Sequence, residues 1–345
     1  MTKANVIVGD CVDIMRSLQQ QSYQTIVTSP PYWNLRDYQI PGRWWGDGEH
    51  CVLGNEKTVA GYVRHCVEVF RECRRVLRKD GTLWLNIGDT YANQQQCNVP
   101  FLVAEALKTD GWFLRSTSIW AKQNPMPESV HGWRVNVADR NRRIKRGSWR
   151  PTNAHEFVFL FARSKKYFCD GDSCLERSVD GETRNMRSVW SMPSEPVSGA
   201  HFAVFPTELA ARCIRSSVSM GGCCRSCRAP YVPLVESNRV PTRPGNNTKV
   251  AGRSGKVIGN RDPKRHVTTV RVVDYVPQCV CNAGVDACRV LDPFGGCGTT
   301  GVAALSLGCH CDLIEVSPEF SLLASGRISV AESEFAKPLF EGGAP

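Results

Sequence analysis

No stretch of the 345-residue chain approaches the roughly 18 consecutive apolar residues that span a membrane, and Met1 to Asp13 lacks the basic segment and apolar core of a secretory signal. Both absences argue against a membrane-embedded or exported protein, and a soluble, intracellular one is expected. Internal repeats and long low-complexity tracts are also missing, which removes solenoids and disordered scaffolds from consideration. Acid is the scarcer charge: 33 Asp and Glu face 43 Lys and Arg, for a net charge of +10. That balance favours a polyanionic partner, although a soluble enzyme with a basic surface carries the same signature.

Cysteine, by contrast, is abundant, at 17 residues. In a small exported domain such a count means a disulfide framework. Here most cysteines stand singly within helix or strand patterns and read as reduced thiols, with one clustered exception. Hydrophobic residues make up 42% of the chain, enough for one large domain with insertions or two of ordinary size.

Residues 6–8 and 25–28 are short apolar runs, each followed by polar loop chemistry (Gly9-Asp10 and Ser29-Pro-Pro-Tyr32), as buried strands of an open α/β sheet are. Val63, Val67, Phe70, Val76 and Leu77 predict a helix over 62–78, closed by Lys79-Asp80-Gly81 ahead of a strand at 82–87. A helix over 99–109 and a strand over 113–120 repeat the alternation. From Gln123 the composition shifts to Pro, Asn, Arg and Trp, and Arg140, Arg142, Arg143, Lys145 and Arg146 face a single acid, Asp139, which reads as an insertion. Strand character returns at 155–162, residues 171–199 are polar and irregular, and a helix is expected over 208–214. A second insertion, 221–288, is rich in Gly, Pro, Asn, Arg and Cys. The chain closes with strand 289–291, glycine loop 295–298, helix 299–307 and strand 310–316, a nucleotide-binding βαβ half.

Asp292-Pro-Phe-Gly-Gly-Cys-Gly-Thr-Thr300 sets three glycines between strand and helix, where backbone can approach a ligand and the helix N-terminus can face an anion such as a carboxylate. Glu315 ends the next strand, 17 residues after Gly298, where an acid binds ribose hydroxyls. A dehydrogenase has a similar loop and acid, and so does a tight turn beside a surface acid. Ser29-Pro30-Pro31-Tyr32 is more specific. Two prolines fix φ and remove two N–H donors, leaving a rigid loop with free carbonyls; a Ser-Pro turn or a polyproline ligand is the alternative. Such an acceptor array suits an exocyclic base amine, a poor nucleophile whose lone pair is delocalised into the ring. The Ser29 hydroxyl and the Pro30 carbonyl can accept its N–H bonds and draw it towards sp3 geometry, and Tyr32 offers an aromatic face to a flipped base.

The two motifs together resemble the amino-group-specific (N4-cytosine/N6-adenine) DNA methyltransferases of the β arrangement, in which a [D/N/S]-P-P-[Y/F] catalytic motif precedes a D-P-F-x-G-x-G-T-T cofactor motif. The resemblance extends to Gly9-Asp10, residues 28–38, 81–91 and 124–130, His155-Glu156, and residues 201–206 and 292–300. It implies an α/β fold of the Rossmann-like methyltransferase type, circularly permuted, with a mixed sheet flanked by helices. It also implies S-adenosylmethionine as cofactor and double-stranded DNA as partner, with the target base flipped out. On the same ground Asp10 is expected against the cofactor adenine and Phe202 and Pro206 as its wall. Phe294, Gly295, Gly296, Gly298 and Thr299 are expected at the methionine part, Glu315 at the ribose, and Thr28 and Asp292 with the cofactor site. Cys297 stands where the family often has Ser. Ser at the first motif position is associated mainly with cytosine N4 and Asp or Asn with adenine N6, so Ser29 favours cytosine and leaves adenine as the alternative. Cytosine-C5 chemistry needs a thiolate, usually in a Pro-Cys dipeptide, and the chain has none.

Cys224-Arg-Ser-Cys227 and Cys279-Val-Cys281 have spacings from which four thiolates can close a tetrahedral zinc site, with reduced structural thiols as the alternative. The basic residues between them, Arg243, Lys249, Arg253, Lys256, Arg261, Lys264, Arg265 and Arg271, either meet phosphates or solvate a flexible loop. The expected organisation is a catalytic half (1–124), a target-recognition region with a returning core strand (125–200), and a core helix of the cofactor pocket (201–220). A basic, zinc-binding insertion (221–288) and a cofactor-binding half (289–345) complete it. Arg140, Arg142, Arg143, Lys145 and Arg146 are expected against DNA, and a homodimer stays open. A catalytically idle zinc-containing DNA-binding protein is the competing reading from another class.

Overall fold

Strands that are apolar on both faces need cover on both sides. In the computed structural model, which describes residues 2–36, 39–128, 130–177, 183–197, 204–241 and 266–335, eight strands join in one mixed sheet. In chain order they are β1 (Ala4–Val8), β2 (Tyr23–Thr28), β3 (Leu77–Ile87), β4 (Phe113–Lys122), β5 (His155–Ala162), β6 (Val189–Met192), β7 (Arg289–Asp292) and β8 (His310–Glu315). Their spatial order is β1-β8-β7-β2-β3-β5-β4-β6, all parallel except β5, which runs against both of its neighbours. Helices α1 (Cys11–Ser17), α2 (Val59–Val76) and α3 (Val99–Thr109) cover one face, and α4 (Thr207–Arg215), α5 (Thr299–Ser306) and α6 (Pro318–Phe335) the other. Successive residues feed opposite cores: Ile26 and Val27 in β2, Leu83 and Trp84 in β3, Leu291 and Val290 in β7. The permuted Rossmann-like sheet expected from the sequence is present, with β7 from the end of the chain inserted beside β2 from its beginning.

Helix α2 starts at Thr58, whose hydroxyl accepts from the Gly61 N–H at 3.1 Å, and Tyr62, Cys66, Val69, Phe70, Cys73 and Val76 form its fully buried stripe. It stops two residues earlier than its periodicity predicts because Leu77 joins the sheet opposite Tyr23. The backbone then detours through residues 78–81 before Thr82 rejoins opposite Thr25, and a Cβ on Gly81 would lie 2.9 Å from the Gln24 carbonyl oxygen.

The cysteine content has a packing explanation. Cys11, Cys66 and Cys73 belong to one core, and Cys213, Cys223, Cys288, Cys309 and Cys311 to the other, where the thiol acts as a small apolar side chain. Burial pushes the Cys309 thiol up to about 12, which keeps it protonated.

Two segments differ from the sequence-based expectation. Val189–Met192, inside a stretch expected to be irregular, is edge strand β6: Trp190 and Met192 face inward, and Trp190 meets Trp84 with ring centroids 5.8 Å apart. The second insertion contains an antiparallel ribbon, Tyr231–Pro241 with His266–Pro277. The Gly-, Asn- and Arg-rich sequence between the two runs masked their Val-rich strand character. Arg243 to Arg265 of the expected basic cluster lie outside the described residues, and Arg271 is exposed on the ribbon. Arg140, Arg142, Arg143, Lys145 and Arg146 are all exposed, around a short pairing of Arg134–Val135 with Ile144–Lys145. Among the described residues no helix is long and apolar enough to cross a membrane.

Candidate active site

Parallel strands send their following loops to one rim, and a ligand cleft opens where those loops diverge. β1, β8, β7, β2, β3 and β4 end at this rim and the reversed β5 begins there, around a cleft of about 730 Å³. The cleft gathers Asp10 after β1, Ser29, Pro30, Pro31 and Tyr32 after β2, Phe294, Gly295, Gly296 and Thr299 after β7, and Glu315 at the end of β8. Four expected residues sit elsewhere. Thr28 and Asp292 are buried beneath the wall, and Gly298 lies where a Cβ would come within 3.1 Å of Ala324 in α6. Pro206 caps α4, while Val204 and Phe205 line the cleft. Phe202 lies outside the described residues.

On the cofactor side, Gly295 N–H donates to the Ile314 carbonyl at 2.8 Å, and Gly296 N–H to Glu315 Oε2 at 2.8 Å. Ser317 N–H donates to Glu315 Oε1 at 2.7 Å, so the acid braces the glycine loop from the neighbouring strand. Burial raises the Glu315 carboxyl above its usual range, and these backbone donors offset part of the rise. Asp10 caps α1 by accepting from Val12 and Asp13 N–H at 2.9 and 3.1 Å, and it pairs with Arg43, whose guanidinium lies 5.0 Å from the Trp45 ring centre. Two carboxylates, the glycine loop and the rings of Phe205, Phe294 and Phe320 line a space that fits a nucleoside with a charged tail.

Beneath the wall, Asp292 accepts from Thr28 Oγ1 at 2.6 Å, Thr300 Oγ1 at 2.6 Å and the Phe294 N–H at 3.0 Å. Burial pushes its carboxyl up to about 6 despite these three donors. It joins the end of β2, which carries the prolyl loop, to the start of α5, which follows the glycine loop.

On the side of the prolyl loop, Tyr32 OH donates to Glu156 Oε2 at 2.6 Å, and Asn86 Nδ2 donates to the same oxygen at 2.7 Å and to the Tyr32 oxygen at 3.0 Å. Ser29 Oγ stands 3.2 Å from Tyr32 OH, and Lys122 pairs with Glu156 Oε1. Tyr62 OH of α2 donates to the Pro31 carbonyl at 2.8 Å and anchors the prolyl loop. Gly88 leaves room for the Tyr32 ring, since a Cβ there would lie 2.7 Å from Cε2. Sequence reasoning gave Asn86, Lys122 and Glu156 no role, although the family resemblance covers residues 81–91 and His155-Glu156. Asn86 and Glu156 carry a further signal, a polar residue near the rim end of an apolar run.

At the opposite rim, the sulfurs of Cys224, Cys227, Cys279 and Cys281 lie within 4.8 Å of one another. A tetrahedral zinc with 2.3 Å bonds needs sulfur separations of about 3.8 Å, so this spacing is within a small adjustment of a site. The N–H groups of Cys227 and Ser226 hold the Cys224 thiol down to about 6. Arg78 donates to the Cys227 carbonyl at 2.7 Å and Gln24 to the Arg228 carbonyl at 3.1 Å, which docks the cluster on β3 and β2.

Residues 23–224 match the sequence profile of the N6/N4 DNA methylases. The chain belongs to this DNA methylase family. The methylase is 30% identical to the type II methyltransferase M.SmaI of Serratia marcescens, over 95% of its own length and 91% of the relative's. It is 36% identical to M.Cfr9I of Citrobacter freundii, over 63% of its length and 74% of the relative's. Among solved structures, the PvuII DNA methyltransferase (cytosine-N4-specific) superposes with a TM-score of 0.58 at 15% identity, covering 97% of the methylase and 93% of that chain. A Thermus thermophilus protein assigned as a DNA modification methylase, complexed with S-adenosyl-L-methionine, gives 0.52 at 18% identity, with 95% of each chain covered. These likenesses show the fold, and the chain is a DNA methyltransferase of the amino-methylating N4/N6 family.

The buried Asp292 predicts a pH effect. Its carboxyl titrates near 6 in the folded protein and near 3.9 in the unfolded chain, so its contribution to stability is full below about pH 4 and is lost as pH rises through about 6. Relative to wild type, Asp292→Asn should therefore gain about 2–3 kcal/mol between pH 4 and pH 7 in urea unfolding of the ligand-free protein. A stability difference that does not change with pH contradicts the assignment.

Proposed function

We propose that the enzyme transfers a methyl group from S-adenosylmethionine to the exocyclic N4 amine of cytosine in duplex DNA, with the base flipped into the cleft, as the modification member of a type II system. One observation carries the reading: the neutral hydroxyl of Ser29, on a rigid prolyl loop, faces the same cleft as the glycine loop and Glu315. Similarity to M.SmaI and M.Cfr9I supports the modification role.

S-adenosylmethionine supplies a methyl group on a sulfonium leaving group. The protein's own residues then act by positioning. Each Glu315 oxygen spends one lone pair on a backbone N–H and keeps another for a ribose hydroxyl. Asp10 offers a carboxylate at the adenine end, while the N-terminus of α5 faces the methionine carboxylate. Ser29 Oγ and the Pro30 carbonyl accept the two amine hydrogens and turn the lone pair out of the ring, with Tyr32 as the stacking face. Arg140, Arg142, Arg143, Lys145 and Arg146 meet phosphates.

Nucleoside mass spectrometry of plasmid DNA incubated with enzyme and S-adenosylmethionine should detect N4-methylcytosine. N6-methyladenine would redirect the reading to adenine, and no methylated base together with no saturable cofactor binding would leave only a DNA-binding module. Ser29→Ala should lower kcat by about 100-fold, as losing a transition-state hydrogen bond does, with little change in cofactor affinity.

The same reading includes a structural zinc held by Cys224, Cys227, Cys279 and Cys281, supported by the convergence of the four sulfurs. It closes the base of the ribbon, far from the reacting atoms. Elemental analysis should find one zinc per chain, and Cys224→Ser with Cys281→Ser should abolish it and lower Tm by at least about 5 °C. A fully folded wild-type enzyme free of metal excludes the site.

A further inference from the structure

Hydrogen-bond direction in a buried network is set by the groups that have no choice. A carboxylate only accepts, an amide NH2 only donates, and a phenol has one proton to give. At the catalytic rim Glu156 is such a fixed point. Its charge is balanced by Lys122 at Oε1, and its Oε2 faces both Tyr32 OH at 2.6 Å and Asn86 Nδ2 at 2.7 Å. Tyr32 therefore spends its single proton on Glu156. The Asn86 amide, held by the same oxygen, donates a further bond to the Tyr32 oxygen at 3.0 Å. The 3.2 Å contact between Tyr32 and Ser29 can then be made in one sense only, with Ser29 as donor.

We infer that Glu156 is a positioning residue that acts through Tyr32 to commit the Ser29 proton inward, so that Ser29 meets the substrate amine as an acceptor only. The inference rests on the proposed amine methylation and deepens it. A serine hydroxyl in open solution can equally donate, and a hydroxyl that donates towards the amine lone pair blocks the electrons needed for attack. The carboxylate removes that wrong arrangement before substrate binds, while Asp89, which also lines the cleft, accepts from the Thr90, Asn98 and Val99 N–H groups at the start of α3. Lys122 and Glu156 reach this point from adjacent antiparallel strands, β4 and β5, whose pairing fixes the distance.

The test is single-turnover methyl transfer from tritiated S-adenosylmethionine to unmethylated plasmid DNA, with cofactor and DNA affinities measured separately. Glu156→Gln keeps the shape but supplies a donor, so Tyr32 is free to reverse. The transfer rate should fall at least about tenfold while both affinities stay within about twofold. Tyr32→Phe, which keeps the ring and removes the relay oxygen, should show a comparable fall. The double variant should be no slower than the worse single one, because both break the same link. Glu156→Asp, which restores the charge on a shorter arm, should recover part of the rate. A wild-type rate in Glu156→Gln, or losses that multiply in the double variant, overturns the inference while leaving Ser29 as the acceptor. No transfer by the unaltered enzyme overturns both readings.

Discussion

Asp292 is a carboxylate with almost no contact with water, and three donors converge on it from three parts of the fold: Thr28 at the end of β2, Thr300 in the first turn of α5 and the Phe294 N–H of the glycine loop. Thr28 and Asp292 are 264 residues apart in the chain, yet their side chains meet at 2.6 Å. Thr28 is followed at once by Ser29, and Asp292 by the glycine loop, so this bond sets the distance between the group that would hold the amine and the backbone that would hold the methyl donor. Removing a buried acceptor of this kind costs more than the bond itself, because the orphaned hydroxyls keep their desolvation penalty.

The permuted chain order makes this link possible. β7 pairs with β2 on one side and β8 on the other, so segments from the two ends of the sequence share one rim. The reversed strand β5 brings His155 and Glu156 to the same rim from the opposite direction, and β4 ends there with Lys122. The cleft at one rim and the four-cysteine cluster at the other are therefore separated by the length of the strands. The cluster can secure the ribbon without entering the reaction.

Much of the core was legible because its elements obey simple periods. The helix over 99–109 and the strand over 155–162 occur with the expected bounds, and the terminal strand-loop-helix-strand unit departs by a residue or so. The cleft also collects the prolyl loop, most of the glycine loop, Asp10 and Glu315, each next to a strand end that the apolar runs had marked. Tertiary pairing decided what periodicity did not. Val189–Met192 is too short to signal a strand until β4 offers it an edge, and the ribbon's strands sit in a composition that reads as loop. Thr28 and Asp292 were associated with the cofactor by motif, but their side chains face each other below the wall. The Tyr32–Glu156 contact spans 124 residues and carries no local pattern at all.

The coupling of the two half-sites through Thr28 and Asp292 is tested most directly by titrating S-adenosylmethionine into the Thr28→Val enzyme in a calorimeter. Valine keeps the volume and removes only the hydroxyl bond to Asp292, at a residue that does not line the cleft. Cofactor affinity should fall about tenfold, in line with loss of one bond to a charged buried group, in a protein that still folds. Unchanged affinity in a folded Thr28→Val enzyme would contradict the claim that this bond holds the glycine loop in place beside the prolyl loop.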